Sequence, residues 1–504
     1  MRYTVHTYRF LLASQALLAL LALGCTAKPP APTLAPALGP VEAGTPPVSH
    51  LTLPVAPWQD TAQRFTAALT HRGYHVQAGQ VRFLRIEDCL ALPTCFGNNP
   101  SSPYGMYCLP PAPGDTADGP AWPPCPTDGN LRWRWRLRED EALVFLGQTP
   151  PAARYFSFRS YLFSRHGLLW RRPLFASLGD SLNIEDIATA GTPHGAAGDP
   201  FDRETVVIST ADRRLDALLR QLLASSGAPE AIVNTDVIPR SITRLGLERN
   251  CDDFAMIMRV ALFADAAAGE RYMRTPAATV LRITPPAPAP IDPFPLPPVH
   301  PHGTDTSEEW LRPALDQLIA AVQAQYQSFA VKRRHTRTLH LSGRTCLEHH
   351  TPCFGDNSDT VYSTSLPAWL GDDPRDFLIV VGVQHEATGK ASYMNLAVYN
   401  TPRLMGVAAV TGSDLLGSAE RYLPDHPHSR YLYAYKFARH CQGEPYCFAV
   451  PRGPEGVALD TTLNFIERPY LEPATHTGPL ASQIVPPQVL HFCPAFTLFG
   501  RCNP

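Results

Sequence analysis

One decapeptide occurs twice in the chain. CFGNNPSSPY fills residues 95–104 and CFGDNSDTVY fills residues 353–362, with five of ten positions identical and an offset of 258 residues. Three further positions are close exchanges: Asn98/Asp356, Ser101/Asp359 and Ser102/Thr360. A second cysteine precedes each copy, Cys89 six residues upstream and Cys346 seven. A repeat at that offset predicts two related domains rather than one large one.

The flanks extend the repeat. Residues 59–73 and 308–327 place apolar side chains at three- and four-residue spacing, the pattern of an amphipathic helix. Short strands are expected at 81–86 and 336–341. After each decapeptide a hairpin is expected, entered by the apolar runs 142–146 and 377–383. Its return strands would be 155–161 (YFSFRSY) and 393–399 (YMNLAVY). A period of two puts Phe156 and Phe158, or Met394, Leu396 and Val398, on a core face. The opposite face carries Tyr155, Ser157, Arg159 and Tyr161, or Tyr393, Asn395, Ala397 and Tyr399, and is either solvated or lines a cleft. Further on, 254–263 is paired with 431–438, and Glu270-Arg271-Tyr272 with Glu467-Arg468-Pro469-Tyr470. An amphipathic helix over 212–224 has no counterpart in the second copy. Many short strands separated by turn residues predict a mainly β protein with accessory helices (α+β), built as two tandem homologous β-sandwich-like domains.

The remaining organisation is a leader, a tether and a linker. Residues 1–24 hold Arg2 and Arg9, then an apolar stretch over 10–23, too short to span a bilayer. The stretch ends Ala22-Leu23-Gly24-Cys25. A small residue followed by cysteine resembles a bacterial lipobox, which implies cleavage before Cys25 and lipidation (palmitate among the acyl chains) of that residue. Thr26 at the next position implies delivery to the outer membrane if the host is Gram-negative. Residues 25–57 are rich in Pro and Ala and read as a tether. The first repeat domain is assigned to 58–285, a Pro-rich linker to 286–305, and the second repeat domain to 306–504. Seventeen of the 53 prolines fall in the tether and linker. A formal charge of -2 argues against a nucleic-acid surface.

Twelve cysteines suit an oxidising compartment. Setting Cys25 aside, ten fall into near neighbours read as local disulfides: Cys89/Cys95, Cys108/Cys125, Cys346/Cys353, Cys441/Cys447 and Cys493/Cys502. Cys251 is left over and reads as a buried or inert thiol. The segment Cys346-x-x-His349-His350-x-x-Cys353 has zinc-ligand types. The matching segment of the first copy has no histidine, so a disulfide explains both copies and no metal is assigned.

The decapeptides themselves are the first candidate site. Asn99, Ser102 and Tyr104, and Asn357, Asp359, Thr360 and Tyr362, set turn-forming polar groups beside an aromatic, and Gly97 and Gly355 suit positive φ. They read either as a disulfide-pinned turn or as a ligand-facing loop. Asp359 could act as an acid or base, but Ser101 stands at that position in the first copy. Arg132, Arg134, Arg136 and Arg138 would share one face of a strand, with Trp133, Trp135 and Leu137 on the other; they either grip anionic groups or are balanced by carboxylates. His300-Pro-His302 and His426-Pro-His428 read as exposed loop histidines. No phosphate loop, nucleophile elbow or zinc-protease helix is present.

Asn357-x-Asp359-Thr360-x-Tyr362-Ser363, followed by a tyrosine-rich strand, resembles a bacterial β-sandwich family of unknown function. That family carries an N-x-D-T-x-Y-S signature and then a G-R-Y-Y-like strand, to which Ala153-Arg154-Tyr155-Phe156-Ser157 is similar. The resemblance implies a sandwich fold and brings no established activity. The first copy departs from it at Ser101 and Ser102.

Together these features predict an exported, lipid-anchored envelope protein that is a non-catalytic binding or structural module without a cofactor. Its contacts would be the membrane through the lipid, and a carbohydrate or peptide held by Asn99, Tyr104, Tyr155, Tyr161, Asn357, Asp359, Tyr362, Tyr393, Asn395 and Tyr399. The alternative is an envelope or extracellular hydrolase with Asp359 as acid/base in the second domain.

Overall fold

Ala142–Gln148 (β3) and Phe377–Val383 (β14) are apolar on both faces, so each needs cover on both sides, and this requirement organises each half of the protein. The computed structural model describes residues 57–494 apart from 93, 116–124, 126–129 and 168–170. The signal segment, the tether up to residue 56, Cys25 and Cys502 lie outside the described residues. Residues 50–504 cluster as one unit that contains both halves.

In the first half β3 lies in the middle of a five-stranded sheet. Its order is His75–Phe83 (β1), Ala278–Thr284 (β10), β3, Glu204–Thr210 (β7), Val233–Val237 (β8). A second sheet runs from β1 through Tyr104–Cys108 (β2) and Asp253–Phe263 (β9) to Ala153–His166 (β4) and Arg171–Ser177 (β5), with Leu182–Asn183 (β6) beside β4. Phe145, Phe156, Phe158, Tyr107 and Met256 fill the space between the two sheets. On the outer side of β3, Phe65 and Leu69 of the helix Trp58–His71 and Leu219 and Leu223 of the helix Arg213–Ser226 complete the cover. Asp212 caps the latter helix by accepting from Arg214 N, and Gly227 ends it at a φ of 108°.

The second half repeats this plan. Ala330–Arg334 (β11), Gln488–Cys493 (β20), β14, Leu432–Ala438 (β17) and Cys447–Ala449 (β18) form one sheet. Thr336–Leu339 (β12), Tyr362–Ser365 (β13), Leu463–Tyr470 (β19), Tyr393–Asn400 (β15) and Met405–Thr411 (β16) form the other. Met394, Leu396 and Val398 face Leu378, Val380 and Phe437 across the core, while Leu315, Leu318 and Val322 of the helix Arg312–Gln325 cover the outer side. The protein is therefore mainly β, in several sheets with accessory helices.

Four sequence expectations need correction. β3 and β14 do not form hairpins with β4 and β15; they lie in different sheets, because a strand apolar on both faces belongs in a covered central position. The strand expected at 81–86 begins earlier and ends at Phe83, and Ile86 opens the short helix Ile86–Ala91. The strand expected at 336–341 is β12, which starts at Thr336 and ends at Leu339, and a further strand, β11, precedes it in the other sheet. Finally, Glu270-Arg271-Tyr272 lies in the helix Ala266–Arg274, whereas Glu467-Arg468-Pro469-Tyr470 lies in β19. The register makes β9 the counterpart of β19: Tyr104 pairs with Arg259, and Ser157 also pairs with Arg259. In the second half Ser363 pairs with Glu467 and Asn395 with Arg468. By the same logic β17, not β9, takes the place of β7.

Disulfides join Cys89–Cys95, Cys108–Cys125, Cys346–Cys353 and Cys441–Cys447, each within one half. The helix Arg213–Ser226 has no helical counterpart; the Cys441–Cys447 loop occupies that connection between β17 and β18.

Candidate functional site

The two decapeptides fold alike. Phe96 and Phe354 both have φ of 55°, and Gly97 and Gly355 follow at 77° and 71°. Such consecutive left-handed residues reverse the chain tightly, and glycine carries the second at little cost. Asn99 Oδ1 accepts from Ser101 N at 3.1 Å, and Asn357 Oδ1 accepts from Asp359 N at 3.1 Å. Each asparagine thus holds the same side-chain turn.

Each decapeptide then docks on the opposite half. Asn98 O accepts from Tyr399 Oη at 2.5 Å, Asn98 Oδ1 from Gly406 N at 2.8 Å, and Asn99 Oδ1 from Asn395 Nδ2 at 2.8 Å. A Cβ on Gly406 would stand 2.6 Å from Asn98 O, so the approach requires glycine. Arg403 Nη2 donates to the carbonyls of Cys89, Leu90 and Leu92. In the reciprocal contact Tyr161 Oη donates to Asp356 O at 2.8 Å, Asn357 Nδ2 donates to Tyr155 Oη at 2.8 Å, and Tyr155 Oη donates to Asp359 Oδ2 at 2.6 Å. Asn183 Nδ2 donates to Asp359 Oδ1 at 3.0 Å, and Ser177 donates to the Asp356 carboxylate from both N and Oγ. The disulfides follow: Cys346 and Cys353 pack into the core of the first half, and Cys89 and Cys95 pack against Met405 of the second.

The polar-aromatic strand faces are therefore neither solvated nor open to a cleft. They are the interface, and Asn99, Tyr155, Tyr161, Asn357, Asp359, Tyr393, Asn395 and Tyr399 are all buried in it. Burial raises the pKa of Asp359 from 3.8 to about 6, against the lowering effect of the hydrogen bonds from Tyr155 and Asn183. With no exposed surface and both oxygens engaged, Asp359 holds the halves together.

Two of the sequence-derived site residues, Tyr104 and Tyr362, are only partly buried and line a cavity between the halves. It holds about 80 Å³ of water-accessible space and is partly open to solvent. Phe96, Met106, Trp133, Phe163, Phe175 and Ile257 give it apolar walls, and Phe354, 44% exposed, stands at its rim. Two arginines, Arg259 of β9 and Arg468 of β19, supply its strongest polar groups. Arg259 lies over the rings of Tyr104 and Tyr161, at 5.5 and 5.2 Å, and donates to Gly355 O. Arg468 lies 5.3 Å from the rings of both Tyr362 and Tyr399 and donates to Gly97 O. The sequence reading missed both arginines. The signal for Arg259 was a single charge inside an apolar run, FAMIMRVALF, while Arg468 stands beside Glu467 in LNFIERPY; the mistaken pairing of Glu270-Arg271 with Glu467-Arg468 concealed their correspondence.

The other candidates are structural. Residues 131–138 make only isolated bridges, at Arg132, Trp135 and Leu137. Arg136 faces Asp253 and Asp115, Arg138 pairs with Asp140, and Arg134 lies over Trp133 and Phe163. Cys251 is free and buried, its thiol pushed up to about 11 by burial and by Glu248. His300 pairs with Asp180, and His428 packs on Trp310. Among the described residues no cluster of three or more His, Cys, Asp or Glu could hold a metal, and no helix is long and apolar enough to cross a membrane.

No family model matches this chain, and no curated protein does. Two solved structures resemble it at low similarity. One is a putative uncharacterized protein from Burkholderia cenocepacia, at 13% identity and a TM-score of 0.35, over 86% of this chain and 87% of the other. The second is the VPA0106 protein from Vibrio parahaemolyticus, at 9% identity and a TM-score of 0.36, over 86% of this chain and 97% of that one. At those scores neither bears on what this protein does.

Proposed function

We propose that this protein is a non-catalytic binding module of the cell envelope, held on a lipid at Cys25, whose ligand occupies the cavity between its two halves. The observation that carries this reading is the cavity itself: a largely apolar, aromatic-walled space with a few convergent polar groups, the usual character of a small-molecule site. The strand faces suited to a carbohydrate or peptide are covered by the opposite decapeptide, so support moves from them to the cavity. The hydrolase alternative has less support, because Asp359 does not line the cavity and is fully buried.

The neutral fluorophore N-phenyl-1-naphthylamine tests the cavity. It should bind one-to-one with enhanced emission to the whole secreted chain carrying Cys25→Ser, and Met106→Trp, which fills the space, should abolish the enhancement while leaving the unfolding midpoint near that of the parent. No enhancement, or enhancement indifferent to Met106→Trp, rejects the reading. Radiolabelled palmitate should enter the parent in its host and not the Cys25→Ser chain.

A further inference from the structure

The two halves differ in charge at one place. Where the second decapeptide docks on the first half it brings two carboxylates, Asp356 and Asp359, into the field of Arg259. The first decapeptide has Asn98 and Ser101 at those positions, so its docking brings no carboxylate to Arg468. The surrounding geometry is otherwise matched. Tyr161 and Tyr399 donate to the carbonyls of residues 356 and 98, and the two arginines reach the glycine carbonyls of the opposite decapeptides.

A guanidinium stays protonated in a protein, and burying its charge without a counter-ion is costly. Arg468 is 3% exposed, no carboxylate of the described residues lies within ion-pair distance of it, and its Nη1 is buried with no hydrogen-bond partner among them. Other buried arginines also keep a nitrogen without a partner, but three of them face a carboxylate, Arg136 at Asp253, Arg159 at Asp236 and Arg282 at Glu141, and Arg439 donates to three carbonyls. Among the residues lining the cavity the only carboxylate is Asp88, which is held by Arg82 at 2.8 Å and by the backbone N of Arg85. Arg468 therefore presents an unbalanced positive charge to a space with apolar walls, whereas Arg259 has Asp356 and Asp359 in its field.

We infer that the ligand is an amphiphilic oxyanion, an apolar body bearing one carboxylate-like group, whose charged end sits against Arg468 with Arg259 beside it and whose body lies along Phe96, Phe163, Phe175 and Trp133. This rests on the cavity being the ligand site and adds the sign of the ligand's charge. Arginine suits the role because its planar donors match a carboxylate. The source of the anion, a fatty acid or an aromatic acid, is separated by probes of the two shapes.

Calorimetric titration of the whole Cys25→Ser chain with octanoate, 2-naphthoate and the neutral 1-octanol gives the test. At least one of the two acids should bind, and octanoate should bind at least tenfold more tightly than 1-octanol if the body is aliphatic; 2-naphthoate should take its place if the body is aromatic. Ser101→Asp then places a carboxylate where the first half already has one, within reach of Tyr393, whose hydroxyl hydrogen-bonds to Ser101. This variant keeps Arg468 and should weaken the acid at least tenfold, about 1.4 kcal/mol, with 1-octanol unchanged. Arg468→Met should do the same where it folds. Equal binding of octanoate and 1-octanol with no binding of 2-naphthoate overturns the inference, as does acid binding indifferent to Ser101→Asp, while the cavity reading survives. No binding of any of the three, with N-phenyl-1-naphthylamine also unbound, rejects both.

Discussion

Replacing Asp359 by Asn should change how the stability of this protein depends on pH. Asp359 lies fully buried between the halves, and its pKa rises from 3.8 to about 6 because burial disfavours the charged form. A carboxyl whose folded pKa lies above its unfolded value binds more protons in the folded state between those two pH values. Its contribution is therefore most favourable below about pH 4, and is lost as pH rises through about 6. A shift of about two units corresponds to about 3 kcal/mol between the two limits. The introduced amide can keep the geometry, its oxygen accepting from Asn183 and its nitrogen donating to Tyr155 Oη, which still has Ser157 Oγ as an acceptor at 2.7 Å. Urea unfolding of both chains at pH 4, 5, 6, 7 and 8 isolates this group, because all others, including buried Asp356, cancel in the difference. The difference should shift by up to about 3 kcal/mol in favour of the variant from pH 4 to pH 8. A difference that stays flat across this range would refute the reasoning, since it would mean that Asp359 titrates as it does in water and is not sealed by the first half.

Other expectations follow from the same interface. Tyr161→Phe and Tyr399→Phe each remove a buried hydroxyl that donates to a decapeptide carbonyl, and each should cost about 1–3 kcal/mol in urea unfolding; a loss in one half only would show that the two dockings are not equivalent. Cys251 should resist a thiol reagent in the folded protein at pH 8 and react once urea unfolds it, because burial and the neighbouring Glu248 favour the protonated thiol; rapid labelling of the native chain would contradict that burial.

Much of the local structure was legible in the sequence, because it depends on local patterns. The period of two in residues 155–161 and 393–399 placed Phe156, Phe158, Met394, Leu396 and Val398 in the cores. Near neighbours in sequence became four local disulfides. What each polar-aromatic face would meet was not legible, since a repeat shows which segments are alike and not which segments touch. Tyr155 finding Asp359 across 204 residues is a fact of assembly. The cavity was hidden for a related reason: its residues come from both halves, and Arg259 sits alone in an apolar run where composition reports only a buried segment.

Cutting the linker tests most directly the claim that the halves interlock through exchanged decapeptides. Residues 286–290 are exposed, and no disulfide among the described residues joins the halves. A protease site inserted there leaves the interface and the contacts of Asp292, Phe294 and His300 with the first half to hold them, and Asp292→Ala with Arg213→Ala weakens the latter. After cleavage the two fragments should elute together in gel filtration and appear as one species in native mass spectrometry. Two separate folded fragments would contradict the account.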